Sequence, residues 1–132
     1  MNATDIFRKL KFDKSKKSLI INAPADYERL LTGVDFDKAY NPACKETYDF
    51  VQIFATSQSE LESVVAQVFA AGKYDCLFWI CYPKGGGKIK SDIKRETVWK
   101  AFEIANLRPV SQIAIDETWS ALRGRPAEKV GK

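Results

Sequence analysis

The chain contains no histidine. Without imidazole there can be no Ser-His-Asp or Cys-His nucleophile, no histidine-bearing zinc site and no ordinary proton shuttle near neutral pH. Cysteine is scarce too. Cys44, Cys76 and Cys81 are an odd number without a C-x-x-C pair, which argues against a disulfide framework and a tetrahedral thiolate site; no metal is expected. A reducing, cytoplasmic setting is the simplest expectation. No run approaches the roughly 18 apolar residues that would cross a membrane, and the basic stretch Met1 to Lys17 lacks the apolar stretch of about 7 to 15 residues that marks a secretory leader. The seven glycines form neither a G-x-G-x-x-G fingerprint after the first apolar strand nor a phosphate loop, since Gly87-Lys88 is followed by Ile89 rather than Ser or Thr.

What is present is an ordinary globular mixture: 132 residues, 45% hydrophobic, 29% charged and 12% aromatic, enough for one core. The net charge of +4 is too modest to mark a nucleic-acid binder, and nucleic acid is not an expected partner. Its distribution is uneven. Residues 1–20 carry 6 basic and 2 acidic side chains, residues 21–83 carry 4 and 9, and residues 84–132 carry 11 and 6. Both ends are basic and the middle is acidic, which fits an anionic partner or two parts of one surface that attract each other.

The order of elements follows from the apolar pattern. Ser18 to Asn22 reads as a buried strand, and Pro24 opens a short helix whose Tyr27, Leu30 and Leu31 share a face before Gly33 ends it. Val34, Phe36, Lys38 and Tyr40 alternate as in an edge strand. Phe50 to Phe54 is a central strand, Ser57-x-x-Glu60 a capping box opening a helix, and Gly72 its carboxy-terminal cap. Cys76 to Tyr82, apolar on both faces, reads as the centre of a parallel sheet. A loop, Pro83 to Lys88, precedes a helix from Ser91 or Asp92 to Asn106, then a last strand Val110 to Ile115 and a turn or short segment, Asp116 to Leu122. Trp79 and Trp99 read as packing residues and Cys81 as a core thiol. The expectation is a three-layer α/β domain with a mostly parallel sheet of about five strands, Rossmann-like or flavodoxin-like: a basic arm over residues 1–17, a core over 18–123 and a fraying polar tail over 124–132.

In such a sheet, ligands bind outside the carboxyl ends of the strands. The segments leaving the apolar strands hold the polar groups suited to a site. Asn22, Tyr82, Lys84, Ser91, Arg95, Asp116, Trp119, Ser120 and Arg123 are therefore the candidate ligand-binding residues, with Trp119 stacking on a planar group and Lys84, Arg95 and Arg123 meeting an anion. The competing reading keeps Trp119 as a buried packing residue with Asp116 and Arg123 paired to lock the turn, and the glycines as a solvated loop.

Tyr82-Pro83-Lys84 and Asp116-x-x-Trp119-Ser120-Ala121-Leu122-Arg123, together with Leu107-Arg108-Pro109 and the earlier Asn22-Ala23-Pro24, resemble a family of small bacterial proteins classed as a domain of unknown function, over roughly residues 18–125. The resemblance implies a cytoplasmic, single-domain, Rossmann-like protein and no particular activity or cofactor.

Three functions remain in view. The first is a domain binding a small anionic or nucleotide-like ligand at the strand ends. The second is a transferase on a minimal Rossmann-like fold, with Asp116 as base or orienting group and Lys84 as electrostatic stabiliser. The third is an oligomeric interaction protein with a basic surface, a second copy of the chain being its candidate partner. No cofactor is specified by any of them.

Overall fold

In a computed structural model of the chain, residues 3–85, 87 and 89–129 are described. The glycine loop expected around Lys84 includes Gly86 and Lys88, which lie outside the described residues, as do Met1, Asn2 and the last three residues of the expected tail.

Five strands form one sheet: β1 (Ser18–Ile21), β2 (Tyr48–Phe54), β3 (Gly72–Pro83), β4 (Leu107–Ala114) and β5 (Trp119–Pro126), in the order β1-β2-β3-β5-β4. β1, β2 and β3 are parallel. β5 is antiparallel to both β3 and β4, so β4 runs with the first three and the hairpin arm folds back to place β5 between β3 and β4. The sheet is thus mixed, with four strands of one direction. Helices α1 (Ala3–Leu10) and α2 (Ala25–Leu30) cover one face, and α3 (Gln58–Val68) and α4 (Arg95–Ile104) the other.

The two faces follow from the alternation of each strand. Val51, Ile53, Phe78, Ile80 and Leu122 meet Leu61, Val65, Val98 and Phe102 of α3 and α4. Phe50, Phe54, Trp79, Cys81 and Ala121 meet Ile6, Leu10 and Tyr27 of α1 and α2. A polar side chain lies in the middle of the second layer: Gln52 is fully buried, accepting from Tyr27 Oη at 3.0 Å and donating to Cys81 Sγ at 3.3 Å. Burial pushes the Cys81 thiol up to about 12, as befits the core thiol expected.

Several local expectations change. The stretch read as an arm contains α1, which buries Ile6 and Leu10 and is pinned where Trp79 Nε1 donates to the Leu10 carbonyl at 3.1 Å. Residues 34–40 yield a single bridge, Asp37 to Leu19, rather than a strand. Gly72 opens β3 instead of capping a helix. β3 begins early because Asp75, at φ 58°, bulges out between the Tyr48–Gly72 and Phe50–Leu77 pairs. Ser91 and Asp92 do not start α4. Ser91 Oγ accepts from Ile93 N, while Asp92 reaches across to accept from Gln58 N at 2.7 Å and so caps α3, where Ser57 also accepts from Glu60 N. The segment read as a turn and tail is β5, and Gly124 there lies so close to the Phe102 ring that a side chain would collide with it. Trp99 is 52% exposed on α4, not packed.

Candidate functional site

Because β1 to β4 share one direction, their carboxyl ends fall along one edge. Asn22-Ala23-Pro24, Thr56-Ser57, Lys84 and the turn at residues 116–118 line up there. That convergence was readable from sequence; which face of the edge each side chain occupies was not.

Asp116 and Trp119 come together on the α2 side. The Asp116 carboxylate takes the Thr118 and Trp119 amides at 2.7 and 2.8 Å, closing the β4–β5 turn, and the Thr118 carbonyl accepts from Lys84 N at 2.8 Å. A cavity of about 240 Å³ opens beside this turn, walled by Trp119, Tyr27, Pro24 and Ile89, with the Asp26 and Asp116 carboxylates. Phe54 links its two aromatic walls from behind: Tyr27 lies 4.9 Å from Phe54, and Phe54 meets Trp119 edge-on at 5.2 Å. Asp26 also pairs with Arg29 at 2.5 Å on the surface. Asp26, Tyr27 and Pro24 were not among the sequence candidates; the cue available was the short helix that carries them past the first strand end.

The other candidates separate. Tyr82 and Ser120 pair across β3 and β5 and face α4; Tyr82 Oη accepts from Gln112 Nε2 at 3.5 Å, and burial pushes its phenol up while Arg95 pulls it down. Arg95 is therefore on the α4 side, exposed, in the first turn of α4 with Ser91 in the preceding loop. Asn22, at φ 60°, borders a different cavity of about 480 Å³ with Lys38 and Tyr40. Arg123 does not pair with Asp116: it sits in mid-strand between Trp79 and Ser111. The expected anion thus finds no basic side chain on the wall of the Trp119 cavity among the described residues; its charged groups are Asp26 and Asp116. A further cavity of about 410 Å³ opens at the opposite, amino edge near Tyr74 and Cys76, away from every sequence candidate.

No model of a known family matches the sequence, and no curated protein does. Solved structures do. The chain is similar to a SAM-dependent methyltransferase from Aquifex aeolicus (TM-score 0.64, 12% identity, 93% of this chain and 88% of that one). It is also similar to the 1,6-didemethyltoxoflavin-N1-methyltransferase of Burkholderia thailandensis, solved with S-adenosylhomocysteine (0.56, 9%, 94% and 76%). A third is the 4+2 cyclase SpnF (0.56, 11%, 98% and 80%). The Rossmann-like fold is thus one that methyltransferases share, and identity this low carries the fold alone.

Whether S-adenosylmethionine, named for the first of these structures, fits here is tested at the first strand end. Glycines after the first strand would let backbone amides approach a bound cofactor closely. This chain has Asn22, Ala23 and Pro24, and Pro24 brings no N–H. Of the cavities bordering this strand end, the one beside Trp119, at about 240 Å³, falls below the roughly 300–1,000 Å³ of sites that enclose a whole ligand of drug size, and the one beside Asn22, at about 480 Å³, falls within it. This turn therefore offers S-adenosylmethionine no glycine cradle, and of the two cavities beside it only the one at Asn22 is large enough for the whole molecule.

Proposed function

We propose that this chain is a binding domain that takes a small planar heterocycle, or the planar part of a nucleotide-like ligand, at the carboxyl edge of its sheet. The observation that supports this is the cavity between Trp119 and Tyr27, whose two rings are backed by Phe54, with the Asp26 and Asp116 carboxylates beside them to accept from ring or amino N–H groups. The Tyr27 hydroxyl is spent on Gln52, so Tyr27 offers its ring. Asp116 keeps one carboxylate oxygen beyond the turn it closes. If the ligand carries an anionic group, Lys84, whose backbone is bonded to Thr118 on the cavity wall, is the candidate to receive it.

A transferase is the second reading, favoured by the methyltransferases among the structural neighbours. In it Asp116 would orient the acceptor and Lys84 would offset developing negative charge.

One titration separates the two. Adenine, guanine, nicotinamide and S-adenosylhomocysteine are each titrated by calorimetry into the wild type and Trp119→Ala. The binding reading expects a free heterocycle to bind and the variant to bind it about 5- to 150-fold more weakly, the loss of one stacked ring. Preferential binding of S-adenosylhomocysteine supports the transferase. No binding by any of them removes both.

A further inference from the structure

The arm formed by β4 and β5 carries an arginine cluster that the carboxyl-edge cavity does not use. In the antiparallel register, Arg108 stands directly opposite Arg125, and Ser111 opposite Arg123, so all four side chains belong to the α1 face of the sheet. Arg108 and Ser111 are exposed. Arg125 is matched: its Nε and Nη2 donate to the two carboxylate oxygens of Asp75 at 2.9 and 2.7 Å, the bulge in β3 having turned Asp75 toward it. Arg108 and Arg123 enter no ion pair among the described residues. Arg123 Nε is shielded from solvent without a hydrogen-bond partner among the described residues. Like charges facing each other across two strands cost stability, and a buried N–H without an acceptor costs more.

We propose that this cluster is an anion site, distinct from the Trp119 cavity, that takes a phosphate monoester. Three guanidinium groups against one carboxylate leave two positive charges, which matches the charge of about −1.5 to −2 that a monoester carries at pH 7. A phosphodiester carries a single charge and leaves half of that surplus unmatched. The planar forks of Arg108 and Arg123 suit bidentate contact with phosphate oxygens, and the Ser111 hydroxyl, opposite Arg123, adds a donor. Burial, and then Arg125, make the positive charge of Arg123 harder to hold, and an anion there relieves both.

The test is calorimetric titration of the full chain with glycerol 3-phosphate at pH 7.5, ionic strength held constant with chloride, beside a single-stranded oligonucleotide at equal phosphate concentration. Saturable one-site binding is expected, weakened about tenfold or more in Arg108→Gln and in Arg123→Gln, and unchanged in Trp119→Ala. Arg123→Lys, which keeps the charge and loses the fork, is expected to bind more weakly than wild type. Arg108 is exposed, so its variant serves if the Arg123 variant fails to fold. Absence of saturable heat, wild-type binding by Arg108→Gln, or tighter binding of the oligonucleotide than of the monoester would overturn the proposal.

Discussion

Replacing Gly124 by alanine tests the packing of β5 against α4. A Cβ built on Gly124 falls 2.5 and 2.6 Å from two carbons of the Phe102 ring and 3.2 Å from Leu107 Cβ. Phe102 is fully buried beneath the sheet, so its ring cannot swing into solvent. Overpacking of this kind costs about 3 kcal/mol at the upper end of the usual range. Alanine also restricts the unfolded chain, which returns about 0.7 kcal/mol. The net loss is about 2 kcal/mol. Urea unfolding should show it as a midpoint lowered by about 1 M for a slope near 2 kcal/mol/M, and melting as a fall of roughly 8 °C. Combining Gly124→Ala with Phe102→Leu, which removes the obstructing ring edge, should cost at least about 1 kcal/mol less than the sum of the single changes. A loss below about 0.5 kcal/mol for Gly124→Ala, or strict additivity in the pair, would refute the placement of β5 over Phe102.

Three further outcomes are expected. Gln52→Leu leaves the Tyr27 hydroxyl without its acceptor in the core and should cost about 2 kcal/mol by denaturant titration, most of it recovered when Tyr27→Phe is added. Ser57→Ala and Asp92→Ala should each cost about 1 kcal/mol through the amino end of α3, although Asp92 lies 34 residues from the amide it caps. The Arg125 guanidinium beside Asp75 holds its carboxyl below the usual carboxylate value, so the stability it adds is present above the unfolded-state value and is lost as pH falls through the folded-state one. Asp75→Asn should therefore be less stable than wild type at pH 7 and should lose less stability between pH 5 and pH 2, measured by urea midpoints across that range.

The parts of the fold that could be read from sequence are those whose signal is local. β2 is mostly apolar and the second half of β3 is a continuous apolar run, and α3 carries its own cap in Ser57. β5 escaped because its burial comes from position rather than composition. Ser120 to Pro126 mixes glycine, arginine and proline, and only insertion between β3 and β4 makes it interior. α1 escaped for the opposite reason: eight residues with Arg8 and Lys9 in their last turn look like a solvated arm until Ile6 and Leu10 find Trp79 and Phe50. The strand-end rule located the edge, and with it Asp116 and Trp119. It could not assign faces, because side-chain direction depends on register, and register placed Tyr82 with α4 and Arg123 about four residues down the strand from Trp119. The sign of the cavity's charge depended likewise on Asp26, which α2 swings into place.

The central claim, a ligand cavity at Trp119, is tested most directly by following the tryptophan indole N–H signals in a nitrogen-15 correlation spectrum while adenine or guanine is added. Trp79 is buried with its N–H bonded to Leu10, and Trp99 is exposed on α4, so the three indoles occupy distinct surroundings. A saturable shift of the Trp119 signal is expected, with the Trp79 and Trp99 signals still. An unmoved Trp119 signal at millimolar heterocycle, or a shift confined to Trp99, would contradict it.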